Sequence, residues 1–175
     1  MLRHLMNRAS IAVVLLSISS LRAQVKDIEG WEPTKWDMSL EQTREALAGR
    51  AQDVALVQSP HVKLQIPKIE ANGIPLSVNF EFTDKGGLSI VAMSVRDGVA
   101  RASAFEGLKQ SLIEKYGPPS DQDAKTERDQ NGARLAVRTA VWRMPSTTVL
   151  LNWSEDENDI GNVMVTYSKV IKSVP

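Results

Sequence analysis

From Leu76 to Thr83 the chain alternates without a break, Leu76, Val78, Phe80 and Phe82 against Ser77, Asn79, Glu81 and Thr83. A period of two describes a strand with one buried face and one wet face. Val62, Leu64 and Ile66 form a similar, weaker strand before it, with Asn72-Gly73 as the hairpin turn between the two. Asp84-Lys85-Gly86-Gly87 predicts a second turn into a strand over Leu88–Val95, where the apolar parity slips from Leu88 and Ile90 to Val91, Met93 and Val95. That slip predicts a bulge, or an edge with both faces partly covered. Further on, Leu135, Val137, Thr139 and Val141 alternate with Arg134, Ala136, Arg138 and Ala140. Thr147, Val149, Leu151 and Trp153 alternate again, and Val163, Val165 and Tyr167 close the pattern.

Two stretches carry the longer helical period. Ser39 and Gln42 have capping-box spacing, and Leu40, Thr43 and Leu47 then share a face that ends at Gly49. In the second, Ser103 and Glu106 repeat that spacing, and Phe105, Leu108, Leu112, Ile113 and Tyr116 make one apolar stripe. Gly117 followed by Pro118-Pro119 stops this helix. A polar, charged loop is expected from Ser120 to Gly132. The pattern therefore predicts an α+β fold: two helix-then-three-strands units, 37–97 and 98–175, forming one antiparallel sheet with both helices packed on one face. The two caps are 64 residues apart.

The amino terminus follows a different logic. Arg3, His4 and Arg8 precede an apolar run from Ile11 to Leu16 that continues more weakly to Leu21. A basic segment, a short apolar segment and a small residue at the cut form a secretory signal peptide, so residues 1–23 are expected to be removed between Ala23 and Gln24. The run is shorter than the roughly 20 apolar residues of a spanning helix. No cysteine follows it to take a lipid, so the expected product is a soluble periplasmic or secreted protein without a stable membrane anchor. Residues 24–36 then form an approach segment to a single domain over 37–175.

Composition sharpens this picture. The 175 residues hold 21 Lys+Arg, 21 Asp+Glu and no cysteine. Thiolate chemistry, Cys-ligated metals and disulfide staples are excluded. Loss of Arg3, Arg8 and Arg22 with the leader leaves 18 basic against 21 acidic residues, a net charge of about −3. A mildly acidic chain lacks the basic face that nucleic acids require, so no nucleic-acid partner is expected.

Trp36-Asp37-Met38-Ser39-Leu40-Glu41 with Ala46-Leu47, then Leu112-Ile113-Glu114-Lys115-Tyr116-Gly117-Pro118-Pro119, and later Trp142-Arg143, Thr147–Trp153 and Tyr167, resemble words found in small exported bacterial proteins. The nearest groups are the SmpA/OmlA (BamE) outer-membrane assembly lipoproteins and the beta-lactamase inhibitor protein. The resemblance implies a fold of helices on antiparallel sheet and a habit of binding other proteins. This chain departs from the first group in lacking the lipidated cysteine and in carrying Asp37 where those proteins usually have glycine.

Candidate chemistry is sparse. His61 is the one histidine outside the leader, so neither a histidine triad nor a multi-histidine metal site assembles within one chain. Measured against a calcium loop, Asp156, Asn158 and Gly161 fit positions 1, 3 and 6, but Ile160 and Tyr167 stand where oxygen ligands are needed. That segment reads as a solvated hairpin, and no cofactor or metal is expected. Four tryptophans outnumber the two tyrosines and three phenylalanines. Trp36 and Trp153 are expected in the core. Trp142, which shares its strand parity with Arg134 and Arg138, and Trp31, in the approach segment, are the candidates for an exposed aromatic and cationic patch. The resulting expectation is a non-enzymatic envelope protein that binds another protein through an open sheet face or edge. The alternative is a small-ligand or glycan binder that uses the tryptophan-bearing face.

Overall fold

The computed structural model describes residues 27–54, 59–96, 101–128, 132–158 and 161–171. The first helix, α1 (Leu40–Ala46), starts at the capping box. Ser39 Oγ accepts from Gln42 N at 3.2 Å, and Gln42 Oε1 accepts from Ser39 N at 2.8 Å. After α1 the backbone at Ala48 and Gly49 enters the left-handed region and the helix stops. The second helix, α2 (Arg101–Tyr116), begins two residues before Ser103, so that serine lies inside the first turn rather than at the cap. Gly117, at φ +80°, ends it as the Gly-Pro-Pro sequence predicts.

Strand formation dominates the rest: β1 (Gln52–Asp53), β2 (Val62–Ala71), β3 (Ile74–Phe82), β4 (Leu88–Val95), β5 (Asp121–Arg128), β6 (Arg134–Arg143), β7 (Thr147–Asp156) and β8 (Gly161–Lys169). All eight join one antiparallel sheet in the order β1-β2-β3-β4-β8-β7-β6-β5. Among the described residues strand accounts for 51% and helix for 17%, which corrects the expected α+β class: they form an eight-stranded antiparallel sheet carrying two small helices. The expected three strands per unit are also corrected, because β1 and β5 are additional. β5 replaces most of the loop expected over Ser120–Gly132. It reads Asp-Gln-Asp-Ala-Lys-Thr-Glu-Arg and is exposed along its whole length, so no apolar alternation marked it as a strand.

One face of the sheet holds the core. Phe80 stands opposite Val91, Val91 opposite Tyr167, Tyr167 opposite Val149 and Val149 opposite Trp142, a continuous row across five strands. Residues directly opposite in a ladder share a face and supply much of the sheet's packing. Leu47 at the end of α1, and Phe105, Leu108, Leu112 and Tyr116 of α2, complete the same cluster. Tyr116 reaches Tyr167 with ring centroids 6.4 Å apart and the two hydroxyls at 3.3 Å. The parity slip in β4 corresponds to a register shift between Glu81 and Phe82, which face Ile90 and Leu88. β4 is not an edge; it lies in the middle of the sheet, between β3 and β8.

Residues 27–38 bind to one end of this sheet. Asp27 accepts from Ser146 N and Oγ at 2.9 and 2.8 Å. Trp36 Nε1 donates to Thr147 Oγ1 at 2.8 Å, and that hydroxyl in turn donates to Ile28 O. Asp37 N donates to Leu88 O and Leu88 N donates to Met38 O, at 3.0 and 2.9 Å. The approach segment is thereby tied to β4 and to the β6–β7 turn.

Candidate functional site

The four residues expected to form a binding patch do not come together. Trp142 is 1% exposed. Its face of β6 is the covered one, where Ala140 opposes Leu151 and Trp142 opposes Val149. The apolar parity assigned to β6 is therefore inverted: Ala136, Ala140 and Trp142 lie toward the core, and Leu135, Val137, Thr139 and Val141 lie on the other face. Two arginines on the core parity concealed this arrangement. Arg138 reaches the rim of that face, with its guanidinium 4.9 Å from the centre of the Trp153 ring and 3.5 Å from Glu106 of α2. Arg134 is exposed at the start of β6, opposite Arg128. Trp31 is half-buried, edge-on to Phe80 at 5.8 Å. Trp36 is half-buried as well, and Trp153 is buried. No tryptophan of the described residues stands free as a stacking platform. Ala23 and Gln24, the expected cleavage pair, lie outside the described residues.

The remaining chemistry is ordinary surface chemistry. His61 is exposed, with Nδ1 3.7 Å from Asp84. Glu155 and Asp156 end β7, Glu157 and Asn158 form a turn, and Gly161 opens β8. Among the described residues no group of three or more His, Asp or Glu side chains is placed to hold a metal. On β5 the carboxylates have local partners: Asp121 lies 3.6 Å from Arg143, and Glu127 lies 3.0 Å from Lys125. A shallow cleft of about 830 Å³ at one end of the sheet is lined by the Thr83–Gly87 turn, Ile90, Lys169 and Ile171. Among the described residues Ile171 is the large apolar side chain most open to water, at 87%.

The feature that stands out is the sheet face opposite the helices. Register places Ile90, Ala92 and Ser94 of β4, Asn162, Met164, Thr166 and Ser168 of β8, and Thr148, Leu150, Asn152 and Ser154 of β7 on it. Across Ile90–Ser94, Asn162–Ser168 and Thr148–Ser154 these central strands carry hydroxyl, amide and aliphatic groups on that face; their charge on it is Asp156, at the end of β7 opposite Leu135. Further charges lie toward the flanks, at Glu81 of β3 and Glu70 of β2 on one side and at Arg143 of β6 and Asp121, Asp123, Lys125 and Glu127 of β5 on the other. Sequence periodicity alone located the polar positions of β7 and β8. It did not reveal the neutral centre, because that centre exists only once β4, from the first half of the chain, pairs with β8.

The sheet edges carry features that disfavour further pairing. β1 has two residues, and β5 alternates acids and bases along an exposed strand; both devices discourage addition of a foreign strand. No helix of the described residues is long and apolar enough to cross a membrane. Comparison with models of protein families, with curated proteins and with solved structures yields no match.

Proposed function

We propose that this chain is an exported protein that binds another protein of the cell envelope through the open face of its sheet. Export rests on the leader-like residues 1–23. The observation that carries the binding reading is the charge-free centre spanning β4, β8 and β7, with charge confined to its flanks and to Asp156 at one end. Protein interfaces are depleted of charge at their centres and polar at their rims, because a buried unpaired charge is costly to desolvate. The same pattern disfavours an anionic membrane surface or a nucleic acid, which a neutral face does not attract. Between face and edge, the face is favoured, since β5 is charged along its length and β2, only partly covered by the short β1, carries Pro67, Lys68 and Glu70 along its edge. The tryptophan-based ligand reading loses its support with Trp142 buried and Trp31 half-buried against Phe80.

A photocrosslinking residue at Met164, at the centre of the face, tests this in the native envelope. A discrete crosslinked protein is expected at Met164. It should be lost when Thr166→Glu places a charge beside it, and retained with Glu81→Gln at the flank. Equal crosslinking with and without Thr166→Glu, or a product only from probes on the outer side of α2 such as Glu114, would refute the face as the binding surface.

A further inference from the structure

The turn between β2 and β3 is the Asn72-Gly73 pair, with φ +50° at Asn72 and φ +75° at Gly73. Positive φ at both central residues is the two-residue hairpin that Asn-Gly favours. Ala71 and Ile74 close it as a ladder pair. Both turn residues are exposed, and nothing lies within 4 Å of where a Gly73 Cβ would be. The tip nevertheless rests on α2 through two contacts. Asn72 Nδ2 donates to Ser111 Oγ at 2.5 Å, and Ile74 Cδ1 lies so near Gly107 that a Cβ there would sit 3.0 Å from it. Ser111 spends its own proton on Gly107 O, at 2.9 Å.

We propose that Asn72 is a site of spontaneous deamidation, gated by its hydrogen bond to Ser111, and that conversion unties the β2–β3 hairpin from α2. The Gly73 amide nitrogen, its proton released to solvent base, attacks the Asn72 side-chain carbonyl carbon. The bond from that carbon to Nδ2 breaks and ammonia leaves, closing a five-membered succinimide. Water then opens the ring at one carbonyl or the other, giving aspartate or isoaspartate at position 72. Glycine at position 73 presents no side chain to hinder the attack, and asparagine is already among the thermolabile residues. In the folded turn the carboxamide is tied to α2 through Ser111, so reaction requires that hydrogen bond to open. Once formed, an aspartate carboxylate offers Ser111 only acceptor oxygens. Ser111 has one proton and already gives it to Gly107 O, so the contact cannot be remade without breaking that bond. Isoaspartate also inserts an extra backbone carbon into the hairpin.

The test is peptide mapping of the intact protein after extended incubation at mildly alkaline pH, with the denatured chain as reference. The folded wild type is expected to accumulate aspartate and isoaspartate at position 72 more slowly than the denatured chain. Ser111→Ala should raise the folded rate about fivefold, the change in open population that loss of one neutral hydrogen bond produces. Ser111→Thr, which keeps the hydroxyl acceptor, should hold the wild-type rate. The chain's other Asn-Gly pair, Asn131-Gly132, whose asparagine lies outside the described residues, serves as the internal comparator and should be indifferent to both variants. The proposal is overturned if position 72 stays unconverted while the denatured chain converts, or if Ser111→Ala leaves the rate unchanged. It is equally overturned if Ser111→Ala speeds Asn131 as much as Asn72, since general loosening would then replace the specific gate.

Discussion

The indole N–H of Trp142 donates to the carbonyl oxygen of Gly117 at 2.8 Å, so strand β6, next to the β5 edge, holds the residue that terminates α2. The helix end has left-handed geometry at Gly117 and two prolines beyond it, so it cannot satisfy that carbonyl by continuing. Trp142 does so from β6 while its ring fills the core beside Val149.

Trp142→Ala should therefore cost about 3–5 kcal/mol, the usual range for removing a buried large aromatic. Trp142→Phe keeps much of the volume but leaves the Gly117 carbonyl without its donor, a loss of about 1–3 kcal/mol. Chemical denaturation with the slope held common to all variants measures both. A Trp142→Ala cost below that of Trp142→Phe would mean that neither packing nor the hydrogen bond operates as described.

How much of this was legible in the sequence differs by element. The strict alternation of β3, β7 and β8 marked strands whose outer face is water-exposed, and the Gly117-Pro118-Pro119 stop marked the end of α2 at the residue where it ends. β5 was invisible because an edge strand exposed on both faces has no apolar side to alternate. β6 was misread because valine and leucine suit a strand on either face, whereas Ala140 and an arginine stem satisfied the core side with little apolar signal. The neutral open face was not legible at all, since it is assembled from strands 70 residues apart, as in the pairing of Ser94 with Met164. The hydrogen bonds of residues 27–36 likewise have no local signature: Trp36 and its acceptor Thr147 are 111 positions apart.

Tyr167 makes the stability depend on alkaline pH. Burial, with Tyr116 beside it, pushes the Tyr167 phenol well above its ordinary value of about 10. The folded state thus holds this proton to higher pH than the unfolded chain does. Its contribution is complete below the unfolded tyrosine value and is lost progressively as pH rises beyond about 10. Tyr167→Phe should flatten that alkaline limb while leaving the pH dependence near neutrality unchanged. Melting temperatures measured from neutral to strongly alkaline pH check it, and an undiminished alkaline slope in Tyr167→Phe would assign the effect to other groups.

Asp37 offers the sharpest separation of backbone from charge. Its φ is +65°, a region that costs most L-residues about 1–2 kcal/mol, and its carboxylate lies 2.5 Å from Lys169 Nζ on β8. The conformation is imposed from both sides. The Asp37 amide is committed to Leu88 O, and Gly87 packs so closely that a Cβ on it would stand 3.2 Å from Asp37 Cα. Asp37→Ala and Asp37→Gly both delete the ion pair, but only alanine retains the strained Cβ, so the glycine variant should be the more stable by about 1 kcal/mol despite its freer unfolded chain. Asp37→Asn keeps a side chain that tolerates this region, so its difference from wild type isolates the exposed ion pair: at most about 1 kcal/mol, shrinking as salt is added. Equal stabilities for the alanine and glycine variants would show that residue 37 is not held at positive φ, and a salt-independent difference for Asp37→Asn would show that Lys169 is not the group it pairs with.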